Sequence, residues 1–181
     1  RSYLARHDPA TGELTYWKAG QAPHLDRKNI IELLDWDPEK VRVIHPDVGG
    51  GFGAKSGVYP EEILVGWATR KLGVPVRWTE TRTENMVSMG HGRAQRQRTR
   101  MGGTRDGRIT AYRLDLLQDA GAYARAGAVL PFMTRMMAGG VYDIANVQFE
   151  SHSVVTNTTP TVAYRGAGRP EATAAIERAM D

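Results

Sequence analysis

Residues 163–171 read Ala-Tyr-Arg-Gly-Ala-Gly-Arg-Pro-Glu, and they hold the chain to a narrow set of local folds. Arg165 stands among Ala163, Tyr164, Gly166, Ala167 and Gly168, and Pro170-Glu171 then opens a helix. Small residues let backbone come close to a bound group, and a helix N-terminus supplies N–H donors without intrahelical partners. Arginine adds a rigid fork of donors suited to an oxyanion or phosphate. A second loop of this kind lies far upstream, at Gly49-Gly50-Gly51-Phe52-Gly53-Ala54-Lys55-Ser56. Two anion-cradling loops in one chain point to one large, anionic, phosphate-bearing ligand.

With 181 residues, 41% of them hydrophobic, the chain can bury a core as one domain or as part of something longer. Its net charge is only +4. Arg93, Arg96, Arg98 and Arg100 are spaced along an expected strand with no aromatic residues between them, which reads as a solvated face and not a nucleic-acid stripe. Cysteine is absent, so disulfides, thiolate zinc sites and iron–sulfur ligation within this chain are excluded, and the composition suits the cytoplasm. No apolar run is long enough for a membrane span, and there is no signal-peptide pattern. The first residue is Arg1 and the last is Asp181, and both ends read as cut from a longer chain.

Hydrophobic period and turn residues predict a strand over 14–17 and a helix over 26–34, with Asp26 placed to cap its start. A β-branched strand over 41–44 runs straight into the first glycine loop. The clearest helix spans 60–72: Pro60, Glu61 and Glu62 begin it, Arg70-Lys71 end it before Gly73, and Ile63, Leu64, Trp67, Ala68 and Leu72 form its apolar side. A strand over 74–78 follows. Strands over 93–101 and 109–117 flank Asp106-Gly107, a strong hairpin signal. Another strand is expected over 147–156 and an alanine-rich helix over 170–180. The order, one βαβ-like unit followed by hairpins, argues for an α+β fold in which a mixed sheet packs against helices.

Neither standard phosphate motif fits the first loop in full. Gly49-x-Gly51-x-x-Ala54 follows a strand as a dinucleotide fingerprint would, but the clear helix begins only near Pro60. As a P-loop, the stretch has Ala54 in place of the second glycine, and Gly57 and Pro60 would fall inside the helix that should follow the lysine. A nucleotide- or phosphate-binding domain built on Gly49–Ser56 and a non-catalytic assembly fragment stay open as alternatives. None of His7, His24, His45, His91 and His152 has the short paired spacing of a metal-ligand set.

Taken together, the pieces resemble the large, molybdopterin-binding subunit of the molybdenum hydroxylases, the xanthine dehydrogenase, aldehyde oxidase and carbon monoxide dehydrogenase family. The resemblance covers nearly the whole chain. Its carriers are Gln21-Ala22-Pro23-His24, Val41–Ile44, Pro46–Lys55, Asp119–Tyr123, Tyr142-Asp143-Ile144, Thr156-Asn157-Thr158 and Ala163–Glu171, in the family's order. The carbon monoxide dehydrogenase-like branch looks most similar. The resemblance implies that residues 1–181 are the first molybdopterin-binding domain of a longer subunit. The intact enzyme would hydroxylate a small aldehyde or heterocycle with oxygen derived from water. Its cofactor would be molybdopterin with molybdenum, in the cytosine dinucleotide form. Electrons would leave through an iron–sulfur small subunit and an FAD medium subunit of a hetero-oligomer.

The resemblance also assigns roles. Gln21 matches the glutamine that hydrogen-bonds an oxygen on molybdenum. Gly50, Gly51, Phe52 and Gly53 match the loop whose backbone meets the pterin. Ala163, Tyr164, Arg165 and Gly166 match the segment lining the metal centre. Ser56 stands where xanthine-type enzymes have an acidic residue, and Ala167 where they have an aromatic clamp, so purine-like substrates are disfavoured. Members specialised for carbon monoxide carry Cys-Ser-Phe after the loop arginine, where this chain has Gly166, Ala167 and Gly168.

Overall fold

Residues 1–181 are described by a computed structural model and fall into two units, Arg1–Met89 and Gly90–Asp181. In the first unit, β1 (Ser2–His7) and β2 (Leu14–Lys18) form an antiparallel hairpin. After β2 the chain makes α1 (Pro23–Leu34) and returns as β3 (Val41–Ile44), parallel to β2. The glycine loop then leads into α2 (Pro60–Leu72), β4 (Val76–Thr79) on the far edge, and α3 (Arg82–Ser88). The sheet order is β3-β2-β1-β4. Period-two alternation points Tyr3, Ala5, Leu14 and Tyr16 to one side, where they pack with Ile30, Val41 and Val65.

The second unit opens with the expected hairpin, β5 (Gln95–Gly103) and β6 (Ile109–Gly121). The chain then passes through α4 (Leu130–Met136) to β7 (Asn146–Val155), which lies parallel to β6, and ends in α5 (Arg169–Met180). Tyr112 and Leu114 of β6 form the core with Ala138, Ala175 and Ile176. Two mixed sheets with five helices meet the expected α+β class. No helix is long and apolar enough to cross a membrane. Arg96, Arg98 and Arg100 are exposed, as their alternation predicts, but Arg93 precedes β5 and belongs to a different arrangement.

Two sequence expectations are corrected. Asp26 is not a cap: α1 begins three residues earlier, at Pro23, and Asp26 is fully buried within it. The helix over 60–72 has the predicted bounds, but it packs with the opposite side. Glu62, Val65, Gly66 and Thr69 are buried, whereas Leu64, Trp67 and Leu72 are more than half exposed. One buried cation explains both. Lys18 Nζ, at the end of β2, lies 2.7 Å from Asp26 Oδ1 and 2.6 Å from Glu62 Oε2. It also donates to the Gly57 carbonyl at 3.1 Å. Tyr16 Oη donates to the Glu62 carbonyl at 2.6 Å. At Gly66 the absence of a side chain admits Leu34, whose Cδ1 would lie 2.6 Å from an added Cβ. A charge taken out of water must be paired, so the carboxylate side of α2 turns inward and the apolar side outward.

Lys18→Met should destabilise the chain by about 3–5 kcal/mol, because it removes the ammonium that the buried carboxylates of Asp26 and Glu62 share. Urea denaturation at neutral pH reads this directly. A loss below about 1 kcal/mol, the scale of an exposed pair, would mean that water reaches the cluster.

Candidate functional site

The first loop leaves β3 through His45-Pro46 and is held on its inner side by the same buried cluster. His45 Nε2 lies 3.0 Å from Asp26 Oδ2. Gly20 passes so close above them that an added Cβ would lie 2.6 Å from His45 Cε1 and 2.7 Å from Asp26 Oδ2. Gln21, the next residue, projects toward the loop, and its Oε1 accepts a hydrogen bond from the Gly53 N–H at 3.0 Å. The predicted catalytic residue and the predicted cofactor loop are therefore in contact, although 32 positions apart. Burial raises the Glu62 carboxyl above the ordinary carboxylate range, and Lys18 offsets this only in part.

Within the loop the backbone makes tight turns. Lys55 N–H donates to the Gly51 carbonyl at 3.3 Å and Ser56 N–H to the Gly53 carbonyl at 3.1 Å. Gly50, Phe52 and Gly53 all have positive φ, and Phe52 at +53° is one of four non-glycine residues with positive φ. Its ring is half exposed and lies over Gly50, where any side chain would collide with it. Gly49 is the opposite case, with nothing within 4 Å of an added Cβ. The helix starts at Pro60, so Lys55 and Ser56 lie in turns and not on a helix N-terminus. That is not the P-loop arrangement, in which a helix takes up the chain at the lysine.

The second loop lies in the other unit. Gly166, Ala167 and Gly168 form an unbroken left-handed run, with φ of +90°, +35° and +86°. Ala167 N–H donates to the Tyr164 carbonyl at 2.8 Å, and Gly168 caps α5. Gly168 is buried, and an added Cβ would lie 2.7 Å from both Met133 Cβ and Thr134 N. Tyr164, Arg165 and Gly166 are exposed. Two further stretches singled out from sequence meet nearby in the fold. Asp119 accepts from Thr156 Oγ1 at 2.7 Å, Gly121 N–H at 2.8 Å and Thr158 Oγ1 at 3.0 Å, and these bonds hold its carboxyl below the usual range. Ala122 N–H donates to the Thr158 carbonyl at 2.9 Å, and Thr161 N–H to that of Ala120 at 3.2 Å, so this network fixes the strand end from which the second loop departs.

No cluster of three or more His, Cys, Asp or Glu side chains is placed to hold a metal ion. What the glycine loop offers is open backbone at Gly49, left-handed turns and a neutral amide at Gln21, which suits a cofactor held through its own organic ligand. Sequence reasoning passed over Lys18, Asp26 and Glu62 as supports of this loop. A lysine ending a strand and a glutamate in the first turn of a helix are ordinary in sequence, and only their burial distinguishes them.

A family model described as a molybdopterin cofactor-binding domain matches residues 1–181. Among curated proteins, the chain is 36% identical over its full length to the gamma subunit of the 6-hydroxypseudooxynicotine dehydrogenase complex of Paenarthrobacter nicotinovorans, covering 23% of that protein. It is 38% identical, over 98% of its length, to the carbon monoxide dehydrogenase large chain of Afipia carboxidovorans, covering 22% of it. Of solved structures, quinoline 2-oxidoreductase from Pseudomonas putida 86 superposes with a TM-score of 0.88 at 36% identity, over 93% of this chain and 22% of that one. The chain thus spans about a quarter of the length of the curated relatives it matches.

Gly51 and Gly49 should respond differently to alanine. A Cβ at Gly51 would overlap the Gln21 side chain, 2.8 Å from its Cβ, and displace it from Gly53, at a cost of about 1 kcal/mol for the lost hydrogen bond. Amide hydrogen exchange at Gly53 should therefore quicken in Gly51→Ala and stay unchanged in Gly49→Ala. Equal exchange in both variants would show that Gln21 does not bind the loop.

Proposed function

The chain belongs to the molybdopterin cofactor-binding domain family, and from that premise we propose that it is the first cofactor-binding domain of a molybdenum hydroxylase large subunit. The observation that supports this reading is Gln21 held against Gly53 in a glycine loop whose backbone is open at Gly49, which leaves a neutral amide donor on that loop. The relatives named above are oxidoreductases by name, which supports the same class of chemistry. The cofactor is molybdopterin in its cytosine dinucleotide form. When bound, its molybdenum supplies a two-electron acceptor and activates water-derived oxygen for transfer to an electrophilic carbon.

The chain's own residues bind and orient. Gly50, Gly51, Phe52 and Gly53 would form the loop that meets the pterin, with Gly50, Gly51 and Phe52 presenting backbone N–H groups and the Gly53 N–H holding Gln21 in place. Gln21 Oε1 is engaged by Gly53, so its amide nitrogen is the part left to donate, and it does so without adding charge. Ala163, Tyr164, Arg165 and Gly166 would line the metal centre. Ser56 and Ala167, both small, would leave room for a small aldehyde or heterocycle and supply neither an acid to orient a purine nor a ring to stack on it. The enzyme would be a cytoplasmic hetero-oligomer with iron–sulfur and FAD subunits, and the names of its relatives, a gamma subunit of a complex and a large chain, support an assembly of several subunits.

In the purified complex carrying the full-length subunit, Phe52→Ala and Arg165→Ala should each lower molybdenum and pterin content below wild type, read by mass spectrometry and pterin fluorescence. Wild-type content in both variants would refute the cofactor roles proposed for the two loops. The same complex should contain no stoichiometric copper and should not reduce dye with carbon monoxide, because Gly166 offers no thiolate, the soft ligand that Cu(I) selects. Copper at one per subunit with robust carbon monoxide turnover would overturn this assignment.

A further inference from the structure

Arg93 occupies an unusual position. Its backbone is left-handed, at φ +67°, a conformation that costs a non-glycine residue of order 1 kcal/mol or more. Gly92 before it packs against Tyr164, where an added Cβ would lie 2.6 Å from Tyr164 Cβ. His91 before that pairs with the approach to the second loop: its N–H donates to the Pro160 carbonyl at 3.1 Å, and its carbonyl accepts from Val162 N–H at 2.7 Å. The segment 91–93 therefore runs alongside 160–164.

The side chain of Arg93 completes this seam. Nη1 donates to Glu171 Oε2 at 2.9 Å and Nη2 to the Arg165 carbonyl at 2.6 Å. The guanidinium lies 5.0 Å from the centre of the Tyr164 ring, within cation–π range. Glu171 is nearly buried in the first turn of α5, and its own carbonyl is held by Gln97 Nε2 at 3.0 Å. Residues 165 and 171 bracket the left-handed run 166–168 on its two sides. One planar fork thus ties both ends of that run together, a span that the single point charge of a lysine cannot reproduce.

We propose that Arg93 is a positioning residue for the loop Tyr164–Gly168, a brace between Arg165 and Glu171 that holds the loop in its cofactor-binding form. The proposal rests on the reading of that loop as a cofactor loop. Backbone strain at position 93 is tolerated because the brace needs a side chain there. Glycine would suit the φ better and could not form the brace.

Glycine therefore makes the decisive test. In the complex carrying the full-length subunit, Arg93→Gly should stay folded, because relieved backbone strain offsets part of the loss of a partly exposed ion pair. Amide exchange over residues 164–168 should nevertheless rise about tenfold, and molybdenum content should fall. Arg93→Lys, which keeps the charge, should lie between wild type and Arg93→Gly in both readouts. Glu171→Gln, of unchanged shape, should move both the same way and serves as the second variant if Arg93→Gly folds poorly. Wild-type exchange over 164–168 in Arg93→Gly and Glu171→Gln would overturn the brace. Raised exchange with full molybdenum would overturn its link to the cofactor. A wild-type complex without molybdenum would instead defeat the functional reading, and the exchange data would still decide the brace.

Discussion

The first unit is organised around a cation with no water to turn to. Lys18 ends the strand that the hairpin, α1 and β3 all build on, and its ammonium reaches two helices and the segment after the glycine loop. Pairing it fixes the rotation of α1 through Asp26 and of α2 through Glu62. Asp26 in turn meets His45, where β3 gives way to the loop. The glycine loop is thus anchored at both shoulders, by His45 before it and Gly57 after it, while Gln21 grips its middle at Gly53. A cluster of this kind adds less to stability than an apolar core of equal volume, but it fixes which parts meet.

Much of the fold was legible because it follows from local rules. The Asp106-Gly107 turn placed the β5–β6 hairpin, and Pro60 with Gly73 bounded α2. Pro170-Glu171 opened α5 as expected. What escaped notice was short or non-local. β1 buries only Tyr3 and Ala5, too few positions for a period to stand out. The capping box Thr81–Glu84 that starts α3 was present in the sequence as T-x-x-E and could have been found there. The parallel pairing of β7 with β6 joins segments separated by α4, and no local signal carries such a pairing.

The candidate site divides along the same line. Glycines in runs are visible in any sequence, and Gly50, Gly53, Gly166 and Gly168 do take backbone conformations that favour glycine. Gln21 carried no local signal of its own, and only the family's pattern singled it out before the contact with Gly53 gave it a physical setting. Arg93 was grouped with the strand arginines because it stands near them, although its three-residue step to Arg96 breaks their period of two, and its backbone conformation and partners set it apart. Spacing records which residues could share a face. It is silent on a residue that leaves the strand before the strand begins.

The rotation of α2 has a consequence for sequence variation. Along this helix the usual correspondence between greasiness and intolerance to change is reversed. Leu64, Trp67 and Leu72 lie outside the interior of this unit, so polar residues there would leave its own core intact. Glu62, Gly66 and Thr69, which look expendable, each occupy a place with no slack: a charge partner, a point of close approach to Leu34, and a hydroxyl that donates to the Val74 carbonyl while accepting from His7. A homologue alignment scored by hydrophobicity alone would mark the wrong side of this helix as its core.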